Sequence, residues 1–276
     1  MAKSPNSISD GQIANRILRS LTTTEYEAIL PHAELVRFPM GRIIHDPGQH
    51  MDHVYFPNHG VLSMLTVLEN GDLVEIATVG NEGMADLSVF LGLRSAGSRL
   101  LVQIPAETLR MERDVFLDLV SRFDGLRNAL GYFMVSMFTL VSQSAACNRL
   151  HPIEKRAARW LLMTHDRVDS HTFPITHDFL ASMLGVRRPS VTVAARLLQR
   201  AGFITYRYGR LTVLDRAGLE AYACECYAIV REQFDSMPGA EADKADGRRL
   251  SSGLYATRPE PEQGAADRGM YGIPTL

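Results

Sequence analysis

The chain has 276 residues, of which 46% are hydrophobic and 22% are charged, and its formal net charge at pH 7 is −2. These values are typical of an ordinary globular protein with room for two modest domains. No apolar run approaches the roughly 18 residues that a membrane span needs. The N-terminus also lacks the apolar core of a signal peptide, so we predict a cytoplasmic protein without a membrane partner.

The first half of the chain is predicted to be rich in strands. After an N-terminal segment, residues 1–20, we expect a β domain over residues 21–115, because short apolar segments there are separated by Gly, Pro, Asn and Asp. Asn70-Gly71 between two such segments is a strong two-residue hairpin signal. Many short strands at regular spacing are typical of a β sandwich or barrel.

A long helical segment, residues 116–150, follows the strands. Its apolar residues recur at alternating intervals of three and four, which is typical of a coiled-coil seam. We therefore predict a dimerisation helix, broken near Asp124-Gly125, and its interface residues are Leu126, Leu130, Phe133, Met137 and Leu140. The alternative is that this face packs on the strand domain within one chain.

The next segment, residues 151–220, has the pattern of a second domain. Two short helices are separated by a turn that contains Gly185, and two β-like segments joined at Gly209-Arg210 come next. Two helices joined by a tight glycine-containing turn form the helix-turn-helix arrangement. The hairpin that follows is typical of a winged helix.

The second of these helices, within "GVRRPSVTVAARLLQRAG", is predicted to recognise DNA. Residues 185–216 contain seven arginines and one aspartate, and such a basic patch indicates a polyanionic partner. Arginine binds guanine edges or phosphate, and the N-terminus of a helix favours phosphate. The candidate DNA-binding residues on this helix and on the hairpin are Arg187, Arg188, Ser190, Thr192, Arg207 and Arg210. The opposite face, Val191, Ala194, Ala195 and Leu198, is expected to pack on the first helix.

The C-terminal part is predicted to hold one more helix and a tail. A final helix runs from about residue 215 to 236, and its portion beyond the DNA-binding domain is residues 221–237. Residues 238–276 are rich in Gly, Pro, Ala and charge without a periodic apolar face, so we expect a disordered tail.

The three cysteines, Cys147, Cys224 and Cys226, have no framework of spacings. An odd count argues against disulfides and for a reducing compartment. The Cys-x-Cys pair is too short for a CxxC redox motif or a zinc knuckle. The sequence therefore predicts thiols without a special role, no metal and no cofactor.

The order of a strand-rich domain, a long helix and "ITHDFLASMLGVRRPSVTVAARLLQRAGFITYRYGRLTVLDRAGLE" resembles the cyclic-AMP receptor protein/FNR (Crp/Fnr) family of bacterial transcription regulators. The likeness covers about residues 21–220. It implies an α+β fold with an N-terminal β jelly roll similar to cyclic-nucleotide-binding domains, a dimerisation helix and a C-terminal winged helix-turn-helix. It also implies a homodimer on a near-palindromic site in double-stranded DNA, with RNA polymerase as a further partner.

The resemblance also assigns individual residues in the DNA-binding domain. The family's base-reading positions fall on Arg188, Pro189 and Val193, and only Arg188 keeps the residue usual in the founding members. Their well-known target sequence is therefore not carried over. Thr176 and Ser190 lie where the family contacts phosphate, and His177 beside them is a further candidate.

The effector site matches the family less well. Glu82 corresponds to the ribose-binding glutamate of the cyclic-nucleotide pocket, and Arg94 and Ser95 resemble the start of its phosphate-binding triplet. However, Asn81 replaces the usual glycine and the triplet arrives two residues late. We therefore expect a degenerate sensor domain with an unknown effector, and a cyclic-nucleotide-responsive regulator is the alternative. No cysteine precedes Cys147, which argues against an FNR-type iron–sulfur cluster.

The function predicted from these features is sequence-specific DNA binding by a homodimeric transcriptional regulator. An enzyme is not expected, since the chain has no GxxxxGK, GxSxG or HExxH motif. The rival hypothesis is a sensor that acts through a protein partner rather than DNA. Steep loss of DNA affinity with rising salt distinguishes the first hypothesis from the second.

Overall fold

The computed structural model describes residues 13–168 and 170–240. The predictions for the first twelve residues and for most of the tail, residues 241–276, lie outside the described residues. Within them, an antiparallel sheet precedes a helical region with a small second sheet, so the predicted α+β fold class is confirmed.

The N-terminal half is a five-stranded antiparallel sheet preceded by two short helices. The helices are α1 (Arg16–Arg19) and α2 (Thr23–Ile29), and the strands are β1 (Glu34–Phe38), β2 (Ile43–His45), β3 (His53–Val67), β4 (Leu73–Val79) and β5 (Arg99–Glu112). The strand order is β1-β5-β3-β4, and β2 pairs with β5 beside β1. We refer to this half as the β domain.

The hairpin between β3 and β4 is present, although its loop is one residue longer than predicted. Gly71 donates its N–H to the carbonyl of Leu68 at 2.9 Å and has a φ of 86°. This is a type I turn followed by a left-handed residue, a three-residue loop rather than a two-residue one. Asn70 Oδ1 accepts the N–H of Asp72 and stabilises the turn.

The C-terminal half is mainly helical. Its helices are α3 (Arg113–Arg122), α4 (Asp124–Leu150), α5 (Ile153–His165), α6 (His177–Leu184), α7 (Arg188–Arg200), α8 (Arg216–Tyr222) and α9 (Cys226–Asp235). A second sheet has the order β6-β8-β7 and consists of β6 (Thr172–Pro174), β7 (Ile204–Arg207) and β8 (Arg210–Val213). The single final helix predicted near residues 215–236 is wrong: the chain leaves helical geometry at Ala223, where ψ is 167°.

The long helix α4 carries the main correction to the sequence analysis. All five predicted dimer-interface residues are buried within the one chain, with exposed fractions between 0 and 7%: Leu126, Leu130, Phe133, Met137 and Leu140. Phe133, for example, packs on Phe234 of α9 with ring centroids 6.3 Å apart. The alternating spacing identified an apolar face correctly, and that face packs on the same chain, as the alternative proposed.

The opposite face of α4 is also apolar but exposed. Phe138 is 75% exposed, and Tyr132, Val135 and Val141 of the same helix are exposed as well. Because both faces are apolar, an 18-residue window of α4 reaches a mean hydropathy of 1.3. By length and composition alone this helix could cross a membrane, but its inner face belongs to the core.

Candidate nucleic-acid interface

Two helices joined by a sharp turn form the framework of the site. Thr176 caps α6, because its Oγ1 accepts the N–H of Phe179 at 3.1 Å. Gly185 ends α6 in the left-handed conformation, with a φ of 62°, which a residue with a side chain adopts only at a cost. Helix α7 then begins at Arg188, and Pro189 in its first turn sacrifices no helical hydrogen bond.

The inner face of α7 packs as the sequence predicted. Val191, Ala194, Ala195 and Leu198 are at most 5% exposed. Val191, Ala194 and Leu198 belong to the hydrophobic core that α5 and α6 also form, and the two alanines allow the helix axes to approach closely. This packing leaves the opposite face of α7 directed outward.

The outward face of α7 presents positive charge at its N-terminal end. Arg187 occupies the N-cap position without a side-chain cap, and Arg188 and Pro189 beside it are exposed. Arg188 Nε lies 3.4 Å from Asp178 Oδ1, but both side chains are about two-thirds exposed, so the pair is weak. Val193, the third base-reading position in the family, is 63% exposed.

Two of the candidate residues are half-buried and contact each other. His177 Nδ1 lies 3.1 Å from Thr192 Oγ1, and the Thr192 hydroxyl also donates to the carbonyl of Arg188. The His177 ring stacks on Tyr206 of β7 with centroids 4.6 Å apart. Burial lowers the pKa of His177, with a further contribution from Arg188. This histidine therefore ties α6, α7 and the hairpin together in its neutral form.

The β7–β8 hairpin, which we call the wing, presents a second group of cations. Arg207 and Arg210 are direct cross-strand partners, and both are exposed. Like charges in that register destabilise an isolated hairpin, so the pair favours an anionic partner. The turn is Tyr208-Gly209 rather than the predicted Gly209-Arg210, and both residues have positive φ, as a type I′ turn requires.

The sequence analysis missed the tip of the wing. Tyr208 is fully exposed at the end of the hairpin, where its side chain contacts nothing that would explain an aromatic residue there. Its positive φ of 50° is unfavourable for tyrosine. A sequence signal was available, because an aromatic residue between Arg207 and Gly209 is unusual at a turn.

The charge of this region is largely unneutralised. Within the described parts of the chain, five arginines of α7 and the wing have no carboxylate oxygen within 4.0 Å: Arg187, Arg196, Arg200, Arg207 and Arg210. Arg216, by contrast, is paired with Asp166 and Glu220. Free guanidinium groups at a helix N-terminus and on an adjacent hairpin can bind phosphates or the edges of bases.

The predicted effector residues are not brought together. Glu82 is 4% exposed, and its Oε1 accepts hydrogen bonds from Arg167, which follows α5, at 2.8 Å and from the Gly80 N–H at 3.1 Å. Arg94 and Ser95 lie in an exposed loop, where Ser95 bridges to His50. The position expected to bind ribose is thus occupied by an internal ion pair.

An open cleft borders Glu82 and Arg167. Its walls come from the β domain, the end of α5 and helix α9. The arginines at its C-terminal wall are engaged, since Arg216 contacts Asp166 at 2.5 Å and Arg231 contacts Glu220 at 3.1 Å. The cleft therefore lies at the junction of the two halves, and neither Arg216 nor Arg231 is free to bind an anion in it.

A polar network that the sequence did not reveal joins the β domain to α5. The Ser63 hydroxyl lies 2.8 Å from Glu75 Oε2 and 2.8 Å from Gln103 Oε1. Gln103 Nε2 donates to Thr164 and Trp160 Nε1 donates to Glu75, which extends the network across the junction. Because Ser63 has a single proton for two acceptors, a protonated Glu75 completes the network. Burial raises the pKa of Glu75 to about 7, which agrees with that arrangement.

Comparison with known proteins agrees with this geometry. A Crp-like helix-turn-helix domain matches residues 155–222. A comparison with curated protein sequences gives no significant match.

Solved structures of similar fold come from several bacteria. A putative transcriptional regulator of the Crp/Fnr family from Eubacterium rectale is 20% identical with a TM-score of 0.59, over 75% of this chain and 96% of that one. A CRP-family transcriptional regulator from Thermus thermophilus is 20% identical with a TM-score of 0.58, over 68% and 96%. FixK2 from Bradyrhizobium japonicum is 14% identical with a TM-score of 0.59, over 70% and 98%. Residues 155–222 thus match a Crp-like helix-turn-helix domain, and the fold of the chain is similar to that of these Crp/Fnr structures.

Proposed function

We propose that the protein is a transcriptional regulator that binds double-stranded DNA in a sequence-specific manner as a homodimer. The observation that carries this proposal is the N-terminal turn of α7, where Arg187 and Arg188 are exposed beside a wing with two more exposed arginines. Stability alone does not favour arginines at a helix N-terminus, because they oppose the helix dipole. An anionic ligand bound at this turn would interact favourably with both the arginines and the helix dipole, and would offset the cost of placing them together.

The proposed mode of binding places α7 in the major groove and the wing on the backbone. Arg188 reads base edges, with guanine as its expected partner, while Arg187 and Ser190 contact phosphates. Thr176 contributes a phosphate contact at the start of α6. His177 and Thr192 bind each other, so we assign them to holding α6, α7 and the wing in register rather than to a contact of their own.

The dimer contact is proposed to be the exposed face of α4 packed against the same face of a second copy. Phe138 is the most exposed of the large hydrophobic side chains of α4, with Leu150 at the end of the helix only slightly less exposed, and Val135 lies about one turn before Phe138. Apolar side chains that project from a long helix are typical of coiled-coil association. A two-fold axis along α4 presents two copies of α7 to half-sites about one helical turn apart, which explains a near-palindromic target.

Selection of bound duplexes from random DNA tests the DNA-binding proposal. We expect enrichment of a near-palindromic motif, and the affinity for the enriched duplex should fall steeply between low and high salt. Without an enriched motif, or with binding that ignores salt, the rival hypothesis of a protein partner would replace DNA recognition. Transcription with purified RNA polymerase on the selected site tests that further partner.

Sedimentation of a Phe138→Asp variant tests the dimer. We expect the variant to shift toward monomer, because two carboxylates would face each other in the interface. Ser121→Asp on α3 is the matched control, since it adds the same charge at an exposed position outside α4. A Phe138→Asp protein that sediments like the control would exclude this face as the interface.

The cyclic-nucleotide alternative has less support than an unknown effector. A nucleotide ribose at Glu82 would have to displace Arg167, and Arg94 is exposed in a separate loop. Structural relatives with this fold are described as transcriptional regulators, which supports a regulatory and cytoplasmic role for this chain rather than catalysis.

A further inference from the structure

Four potential metal ligands converge where α4 ends and the chain between α8 and α9 passes it. Cys147 and His151 come from the end of α4, Cys224 lies between α8 and α9, and Cys226 is the first residue of α9. The three thiols are buried, and one ligand atom from each of the four residues lies within 4.8 Å of all the others. Cys147 and Cys224, which are 77 positions apart in the chain, thus belong to one compact group.

The distances within this group suit a tetrahedral metal ion. Cys147 Sγ lies 3.5 Å from Cys224 Sγ, and Cys226 Sγ lies 3.6 Å from His151 Nδ1. Bond lengths of about 2.3 Å to sulfur and about 2.0 Å to nitrogen place tetrahedral ligand atoms roughly 3.5 to 3.8 Å apart. A disulfide requires sulfurs about 2.05 Å apart, so the observed separation is closer to shared coordination than to a covalent bond.

The orientation of the histidine supports the same conclusion. His151 Nε2 lies 3.3 Å from Glu225 Oε1, on the side away from the thiols. A proton held on Nε2 by that carboxylate leaves the lone pair of Nδ1 directed at the sulfurs. Metal-binding histidines commonly donate their second N–H to a carboxylate in this way, which fixes the ring and its tautomer.

The charge around the cluster is the third observation. Arg156 and Arg159 are 9% and 5% exposed, and within the described residues neither has a carboxylate within 4.0 Å. Both Nε atoms lack a hydrogen-bond partner, and Arg159 Nη1 lies 3.4 Å from Ser144 Oγ, about one helical turn before Cys147. Buried cations need a negative partner. Three thiolates and a neutral histidine around a divalent ion carry a net charge of −1, which would meet that need in part.

We propose that Cys147, His151, Cys224 and Cys226 bind a single divalent transition-metal ion, with zinc as the expected ion. Three sulfurs and one nitrogen are a ligand set that zinc accepts, and four protein ligands leave no open position, so the role is structural. Binding releases the protons of neutral thiols to solvent. The ion would clamp the end of α4 to the segment before α9, beside the His151-Pro152 junction that leads into α5.

Metal analysis of the full-length protein tests the site. After purification under reducing conditions with zinc and desalting, we expect about one zinc ion per chain. Replacement by Co²⁺ should give the intense visible bands of a tetrahedral cobalt centre together with sulfur-to-cobalt charge transfer. A Cys224→Ser variant should lose both, whereas His32→Ala, which removes an exposed histidine elsewhere, should retain both.

A second variant keeps the test decisive if Cys224→Ser fails to fold. Glu225→Gln leaves all four ligands in place and weakens only the contact to His151, so zinc affinity should fall about tenfold while the cobalt spectrum persists. Three outcomes would overturn the proposal. They are a folded protein that binds neither ion and has three reactive thiols, a Cys147–Cys224 disulfide in the reduced preparation, or acid-labile sulfide that identifies an iron–sulfur cluster.

Discussion

The α7–wing surface and the β domain of this molecule use their charged residues in opposite ways. On α7 and the wing, Arg187, Arg207 and Arg210 are exposed and have no carboxylate partner among residues 13–168 and 170–240. In the β domain, Glu82 is buried in an ion pair with Arg167. A surface that binds an external polyanion needs free charges, whereas a buried charge must find its partner within the chain. An exposed charged residue that matches a family motif therefore indicates ligand binding. A buried one that matches can instead serve an internal ion pair.

Loss of the Arg167 side chain should produce the largest effect. Both side chains of the Glu82–Arg167 pair are about 5% exposed, so Arg167→Ala leaves a buried carboxylate without its cation. We expect the free energy of unfolding to fall by about 3–5 kcal/mol in a urea titration. Arg94→Ala, which removes an exposed arginine of the β domain, should change it by less than about 0.5 kcal/mol.

The double variant Glu82→Gln/Arg167→Ala sharpens this comparison. Because it removes both charges, it should recover part of the stability that Arg167→Ala loses. If Arg167→Ala and Arg94→Ala were equally mild, Glu82 would not depend on its internal partner. An external ligand for Glu82 would then regain support.

Substitution of Glu75 should change the pH dependence of stability. The pKa of Glu75 is about 7 in the folded chain, above its ordinary value of 4.5. The contribution of protonated Glu75 to the free energy of unfolding is therefore fully present below pH 4.5. It is lost as the pH rises to 7, by up to about 3 kcal/mol. Glu75→Gln cannot ionise, so it should gain stability relative to the parent protein between pH 5 and pH 8 in urea titrations.

A histidine of the same junction responds to pH in the opposite direction. Burial lowers the pKa of His165 to about 4, so stability from its neutral form is lost as the pH falls below 6.5. This contribution is common to the parent protein and to Glu75→Gln, and it cancels in their difference. Glu69→Gln, in the exposed β3–β4 loop, is the control and should show no such gain. Parallel pH curves for parent and Glu75→Gln would mean that Glu75 is ionised in the folded protein.

Much of the fold could be predicted from the sequence because its signals are local. The glycine-containing turn at Gly185 and the apolar spacing of α7 depend on neighbouring residues, and both elements lie where they were expected. The wing turn at Tyr208-Gly209 was displaced by one residue, because several turn types fit the same letters.

Features that depend on distant pairs could not be predicted. The spacing on α4 identified an apolar face without indicating whether it packs within the chain or on a second copy, so Phe133 was assigned to a dimer partner, whereas it packs on Phe234. Likewise, the separation of Cys147 from Cys224 concealed their contact. Tertiary packing alone brings such residues together, and no periodicity encodes it.

Substitution of Arg188 tests whether the exposed N-terminal turn of α7 reads bases. Arg188→Ala should reduce the binding free energy for the selected duplex by about 1–3 kcal/mol and relax the preference at one position in each half-site. Its pair with Asp178 is exposed and weak, so folding stability should hardly change. Arg200→Ala, at the far end of α7, is the matched control. Fluorescence anisotropy with the selected and a scrambled duplex measures both effects, and equal losses on the two duplexes would remove Arg188 from base reading.

The wing should give the smallest and least sequence-dependent effect. Arg207→Ala or Arg210→Ala removes one exposed cation, so each should weaken selected and scrambled duplexes alike and reduce the salt slope of binding by about 1. Because the two arginines face each other across the hairpin, either variant should fold at least as stably as the parent. Arg94→Ala removes the same charge from the β domain and should leave the slope unchanged. A wing variant that altered sequence preference but not the salt slope would instead place the wing in a groove, reading bases.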